Sequence, residues 1–208
     1  MTAIIDYGVG NLFSLRSSFE RIGEEVVVTA EADVLEKADR IVLPGVGAFR
    51  DAAARLRESG LIPALLRQIE KGKPLLGICL GMQLLFEKSY EYGEYEGLGL
   101  LRGEVRPIAE AVSGLKIPHM GWNALELCRP EHPLFRYVRE GEHVYFVHSY
   151  RAVGCEESLL AVSEYGVPVT AVVGKKNVMG CQYHPEKSGE TGLAILRAFC
   201  ELEEGCLC

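Results

Sequence analysis

The sequence predicts an α/β fold: an open, mostly parallel sheet flanked by helices, with antiparallel hairpins added to it. Three observations carry that prediction. The first half alternates short apolar runs with amphipathic stretches, the pattern of a parallel sheet covered by helices on both faces. Past Tyr90 the pattern changes to short, glycine-punctuated apolar segments that read as hairpin strands. The 208 residues, 48% hydrophobic and 25% charged, can bury an ordinary globular core. With no linker, repeat or low-complexity stretch to divide it, the chain is expected to form one domain over 1–208.

The elements follow in order. Ala3 to Asp6 reads as a short buried strand. After Gly8-Val9-Gly10, Asn11 can cap a helix in which Leu12, Leu15, Phe19 and Ile22 recur at helical spacing, and Gly23 ends it. Val26 to Thr29 and Arg40 to Leu43 are further strands, and Phe49 to Lys71 holds helical stretches broken near Gly60. Pro74 to Phe86 is an apolar run that reads as a buried strand, a glycine-flanked elbow at Cys79 and the start of a helix. Beyond it, strands are expected at Gly97 to Val105, Trp122 to Leu127, His143 to Tyr150, Leu159 to Ser163, Val169 to Val173 and Val178 to Tyr183. Glu190 to Leu202 supplies a last helix with Leu193, Leu196 and Phe199 on its apolar face.

Composition excludes several classes. Net charge is −7 and the lysines and arginines are dispersed, so no basic stripe exists to neutralise a nucleic-acid backbone. Met1 to Tyr7 lacks the basic region and apolar core of a signal peptide, and no apolar run approaches the roughly 20 residues that span a bilayer. A cytoplasmic location and no membrane partner are expected. The seven cysteines are irregularly spaced, against a disulfide framework. Cys200, Cys206 and Cys208 cluster at the end without a histidine or second pair to complete a metal site, so neither metal nor other cofactor is expected.

Two short segments carry chemistry. Gly77-Ile78-Cys79-Leu80-Gly81 has small residues two positions either side of the cysteine, so the chain can turn sharply enough to project the thiol. His184-Pro185-Glu186 offers an imidazole and, if proline keeps the chain extended, a carboxylate projecting the same way to orient it. A cysteine attacking a carboxamide needs a thiolate, a proton carrier for the leaving amine and fixed donors for the oxyanion. A helix amino terminus and a neighbouring imidazole both favour the thiolate. The Leu80 amide and one from the loop Pro44-Gly45-Val46-Gly47-Ala48-Phe49 can supply the donors. Gly8-x-Gly10 invites a dinucleotide reading, but Phe13 stands where the third glycine belongs. Taken alone, Cys79 also reads as a small core residue and His-Pro as a turn; the two segments together favour catalysis.

The chain resembles the class I (triad) glutamine amidotransferases, whose fold is flavodoxin-like. Gly77 to Gln83 and His184-Pro185-Glu186 carry that resemblance. More narrowly, Leu43 to Phe49, Pro118-His119-Met120-Gly121-Trp122-Asn123 and His184 to Ser188 resemble the glutaminase subunits of imidazole glycerol phosphate synthases in histidine biosynthesis. The resemblance implies that Cys79 forms a glutamyl thioester, His184 serves as acid and base, Glu186 orients it, and Gly47 and Leu80 give oxyanion amides. It further implies that Gln83 and His148-Ser149-Tyr150 contact L-glutamine. The implied partner is a (β/α)8-barrel cyclase subunit receiving ammonia through an internal channel, with Asn11, Met120, Trp122 and Lys187 at or near the interface. A dry passage keeps ammonia from becoming ammonium, which is no nucleophile. Two departures stand out: Tyr183 where phenylalanine is common, and the tail from Glu203 to Cys208.

Overall fold

The computed structural model describes residues 1–202; the tail, with Cys206 and Cys208, lies outside the described residues. The first half runs β1 (Thr2–Ile5), α1 (Leu12–Arg21), β2 (Val26–Thr29), α2 (Ala32–Lys37), β3 (Arg40–Leu43), α3 (Phe49–Glu58), α4 (Ile62–Glu70), β4 (Leu75–Ile78) and the single turn α5 (Leu80–Gln83). Helix α1 starts where the Asn11 side-chain oxygen accepts from the Ser14 amide at 3.4 Å, and it buries Leu15 and Phe19. Helix α2 has no counterpart in the sequence reading. It buries only Leu35, too little to leave a periodic signal.

The second half adds β5 (Lys88–Ser89), β6 (Tyr95–Glu96), β7 (Glu104–Pro107), β8 (His119–Ala124), β9 (Glu126–Leu127), β10 (His143–His148), β11 (Tyr150–Val153), β12 (Leu159–Glu164), β13 (Pro168–Lys175), β14 (Val178–Cys181) and α6 (Gly189–Cys200). Three expected strands are redrawn, and one of them, Trp122 to Leu127, breaks at Leu125 so that β8 pairs β10 while β9 pairs β12 in the main sheet. Most of Gly97 to Val105 is not extended: the Leu98, Leu100 and Leu101 amides bond the carbonyls of Leu84 and Leu85, wrapping the segment around the chain that leaves the elbow. Its leucines pack against the core from that wrap rather than alternating across a sheet. His143 to Tyr150 divides after His148, with β10 pairing β8 and β11 pairing β7 in a different sheet.

Eight strands form the main sheet in the order β2-β1-β3-β4-β14-β13-β12-β9. The first five are parallel and the last three antiparallel extensions, as the sequence predicts in outline. Alternation along the buried strands feeds two cores. Ala3, Ile5, Ile41, Leu43 and Leu75 face Leu35, Phe49, Leu56 and Leu65. Ile4, Val42, Leu76 and Ile78 face Leu15, Phe19, Ile195 and Phe199. Successive strands are laid down to one side of β1 and then to the other. At such a switch point a crevice opens beyond the carboxyl ends of the strands, which is where Gly8, Pro44 and Cys79 follow β1, β3 and β4. No helix among the described residues is long and apolar enough to cross a membrane.

Tyr183 shows what one atom can cost. Its ring is fully buried, edge-on to Phe146 with centroids 5.8 Å apart, yet its hydroxyl has no hydrogen-bond partner among the described residues. Burying an unbonded hydroxyl costs about 1–3 kcal/mol. Tyr183→Phe should therefore raise the melting temperature by about 2–12 °C in a chain of this size. Calorimetry showing a decrease would mean that the hydroxyl is bonded in the folded protein.

Candidate active site

Strand β4 ends at Ile78 and the chain reverses at Cys79, whose φ of 54° and ψ of −112° lie where side-chain-bearing residues are rare. Such a conformation costs of order 1–3 kcal/mol and survives only where its surroundings over-determine it. Here they do so through backbone contact. A Cβ on Gly77 would lie 2.7 Å from the Gly81 carbonyl oxygen, one on Gly45 would lie 2.6 Å from the Gly81 nitrogen, and one on Gly81 would run into the Leu43 carbonyl. The Cys79 amide also donates to the Cys181 carbonyl at 2.8 Å, fixing the elbow to β14.

A cleft of about 380 Å³ opens over this elbow. Of the residues named from sequence, Cys79, Gly47, Leu80, Gln83, His148, Ser149, Tyr150, His184 and Lys187 line it together. Glu186 stands behind His184, its Oε1 2.8 Å from the imidazole Nδ1. The local chain is not extended as expected. Residues Pro185–Lys187 form a 3₁₀ turn, and it is the turn that folds the carboxylate back onto the ring. Asn11, Met120 and Trp122 are not in the cleft; they are exposed.

Burial opposes the charged form of His184, but the Cys79 sulfur and the Glu186 carboxylate outweigh it and push the imidazole up to about 9. His184 therefore rests as an imidazolium facing the sulfur. The helix dipole contributes less than expected, because α5 is one turn long and a macrodipole needs length. What the turn supplies is amides: among the described residues neither the Leu80 nor the Gly47 amide donates to a protein acceptor. Gly47 has φ of +91°, and its loop is tied down where the Tyr7 hydroxyl donates to the Pro44 carbonyl at 2.6 Å.

The opposite wall is held by buried histidines. Burial drops His148 to about 3, partly offset by its bond to the Tyr150 carbonyl. Its Nδ1–H donates to that carbonyl at 2.7 Å, so Nε2 accepts from Nδ1 of His119 at 3.0 Å. Both ring nitrogens are thereby committed, and the ring positions Tyr150. His119 is itself fully buried, stacked between Phe146 and Tyr165 at 4.8 and 4.0 Å. His132, outside the cleft, accepts from the Leu134 amide and caps a short 3₁₀ turn.

The carboxylate of the cleft was missed. Glu91 is buried and is the one carboxylate among the described residues lining the cleft. Its Oε2 accepts from the Phe49 amide at 2.6 Å, capping α3 where Ala48 offers no side chain. Burial raises its pKa against the pull of that amide, with Asp51 adding to the rise. A glutamate among Tyr90, Tyr92 and Glu94 carries no local mark of burial; only the signal of a helix lacking its own cap pointed elsewhere for one.

The family model described as Glutamine amidotransferase class-I matches residues 3–202. The imidazole glycerol phosphate synthase subunit HisH of Bacillus licheniformis is 53% identical over 203 residues, covering 96% of this chain and 95% of its own. The same-named subunit of Geobacillus kaustophilus is 51% identical, covering 99% and 98%. The chain belongs to the class-I glutamine amidotransferases, in the HisH family. A crystal structure of a glutamine amidotransferase superposes with a TM-score of 0.74 at 21% identity, covering 96% of this chain and 97% of that one, a likeness of fold. This amidotransferase thus holds the Cys79 sulfur, the His184 imidazole and two uncommitted amides in one cleft.

The raised pKa of His184 in this amidotransferase has a consequence for stability. A folded value of about 9 above the ordinary 6.5 means that the extra proton stabilises fully below pH 6.5 and that this contribution is lost as pH rises through 9. The melting-temperature gap between the parent and His184→Asn should be constant below pH 6.5 and shrink towards pH 9 and above. A gap that widens over that interval would mean that His184 rests neutral.

Proposed function

We propose that this amidotransferase is the glutaminase subunit of an imidazole glycerol phosphate synthase, hydrolysing L-glutamine through Cys79, His184 and Glu186 and handing ammonia to a (β/α)8-barrel cyclase subunit in histidine biosynthesis. The observation that carries it is the meeting of the strained Cys79 elbow, the His184–Glu186 pair and the free amides of Gly47 and Leu80 in a single cleft. Sulfur attacks the carboxamide carbon while the two amides receive the developing oxyanion. His184, protonated at rest, gives its proton to the departing nitrogen, so ammonia leaves and a thioester remains. The now neutral imidazole takes a proton from water, which attacks the thioester and releases glutamate and the thiolate. Throughout, Glu186 holds Nδ1–H and balances the imidazolium.

Glutamine is recognised by opposites. Glu91 suits its α-ammonium. Gln83 has its side-chain nitrogen committed to the Tyr150 carbonyl at 3.3 Å and to Gln182 at 2.9 Å, so it meets substrate as an acceptor. Ser149 and the rest of the 148–150 segment close the other wall. The partner docks over the mouth. Met120 and Trp122, 60% and 54% exposed, sit on the outward side of β8, and Trp122 packs edge-on to Tyr145. Asn11 and the exposed Phe13 lie at the start of α1, and Lys187 joins cleft to rim. The insertion of β14 of the second half beside β4 of the first supports reading the chain as one domain. The reducing cytoplasm suits a free nucleophilic thiol.

Two substitutions test this reading. Cys79→Ala should abolish glutamine-dependent synthesis by the assembled enzyme while ammonium salts still support the partner; surviving glutamine-dependent synthesis would remove Cys79 from the reaction. Glu91→Gln keeps an oxygen for the Phe49 amide but loses the charge, so KM for glutamine should rise about tenfold or more with a smaller change in kcat. A lowered kcat at unchanged KM would assign Glu91 to loop support alone.

A further inference from the structure

Parallel pairing of β4 with β14 sets Cys181 opposite Ile78, and the next residues, Cys79 and Gln182, stand side by side where the two strands end. Gln182 is fully buried. Alternation along an extended chain puts the side chains of Gln182 and His184 on the same side, towards the elbow. The Gln182 side-chain nitrogen lies 3.7 Å from the Cys79 sulfur as a donor to it.

The direction of that bond is fixed by the backbone. The Tyr150 carbonyl can only accept, so the Gln83 side chain must present its nitrogen there, at 3.3 Å. The same nitrogen faces Gln182 at 2.9 Å, so Gln182 must present its oxygen to Gln83. Its nitrogen is then the atom left for Cys79. The amide is held at one end by Gln83 and delivers a buried N–H to sulfur at the other.

We infer that Gln182 is a further residue of the catalytic centre, whose side-chain N–H holds the Cys79 sulfur in its attacking position and stabilises its negative charge. The inference rests on Cys79 being the nucleophile. A neutral amide donor bonds a thiolate more strongly than a thiol or thioester sulfur. It therefore favours the charged sulfur before attack. It favours it again when water has added to the thioester, the carbon–sulfur bond breaks and the electron pair returns to sulfur.

The test is alkylation of the full-length chain by iodoacetamide across a pH range, with modification of the Cys79 peptide followed by mass spectrometry, alongside glutaminase kinetics of the assembled enzyme. Gln182→Leu removes the donor. Gln182→Glu keeps the oxygen that Gln83 needs but sets an acceptor against the sulfur, and it provides a second folded variant should leucine not be accommodated. The expected result is alkylation at neutral pH slowed about tenfold in Gln182→Leu and further in Gln182→Glu, with both pH profiles displaced upward. The kcat should fall in the same order while KM for glutamine changes little. Loss of packing alone would lower melting temperature without ordering the pH profiles by donor and acceptor. Profiles of either folded variant that superimpose on the parent's would overturn the inference. Glutaminase activity surviving in Cys79→Ala would instead overturn the reading beneath it.

Discussion

The arrangement depends on one pairing, that of β4 with β14. Roughly a hundred residues separate these strands, and closing so long a loop is an entropic cost that grows only slowly with length. The pairing brings the Cys79 elbow to the segment carrying Gln182, His184 and Glu186. The bond from the Cys79 amide to the Cys181 carbonyl closes the ladder at the point where the chain leaves the sheet to turn. Burial of both strands on both faces makes the register hard to shift, since a slip by one residue would exchange the side chains of two filled cores.

On that base, strain is concentrated at one residue. Cys79 adopts a backbone conformation that a side chain disfavours, and it is kept there by an interlock in which Gly45, Gly77 and Gly81 allow three stretches of backbone to touch. The same contact places the Pro44–Phe49 loop against the amide end of the elbow. The Cys79 side chain and the uncommitted Gly47 and Leu80 amides are therefore set by a single packing event rather than by two independent loops. The Tyr7 hydroxyl on the Pro44 carbonyl extends this to the end of β1.

Charge in the cleft is equally ordered. The sulfur and Glu186 push the His184 imidazole up against its burial, whereas burial drops His148, offset only in part by its bond to the Tyr150 carbonyl. Two imidazoles on one cleft thus meet opposite surroundings, one paired with the Glu186 carboxylate and the other bonded to the Tyr150 carbonyl. Glu91 is the one carboxylate among the described residues lining the cleft, and it also caps α3.

The sequence by itself determined the parallel core, the elbow and the pairing of a thiol with an imidazole and a carboxylate, because each is written in local pattern. Apolar runs, small residues around Cys79 and the adjacency of His184 and Glu186 are all short-range facts. Only the tertiary structure decided what depends on distant chain segments. It turned Gly97 to Leu101 into a wrap, since that segment's amides are satisfied by carbonyls beyond the elbow. It folded Glu186 back through a 3₁₀ turn, shortened the elbow helix to one turn, and gave His148 to Tyr150 instead of leaving its ring free. Glu91 and Gln182 gained their places the same way. A carboxylate or amide looks alike in sequence whether it meets water or a helix end, and burial against a specific partner is settled when the strands pair.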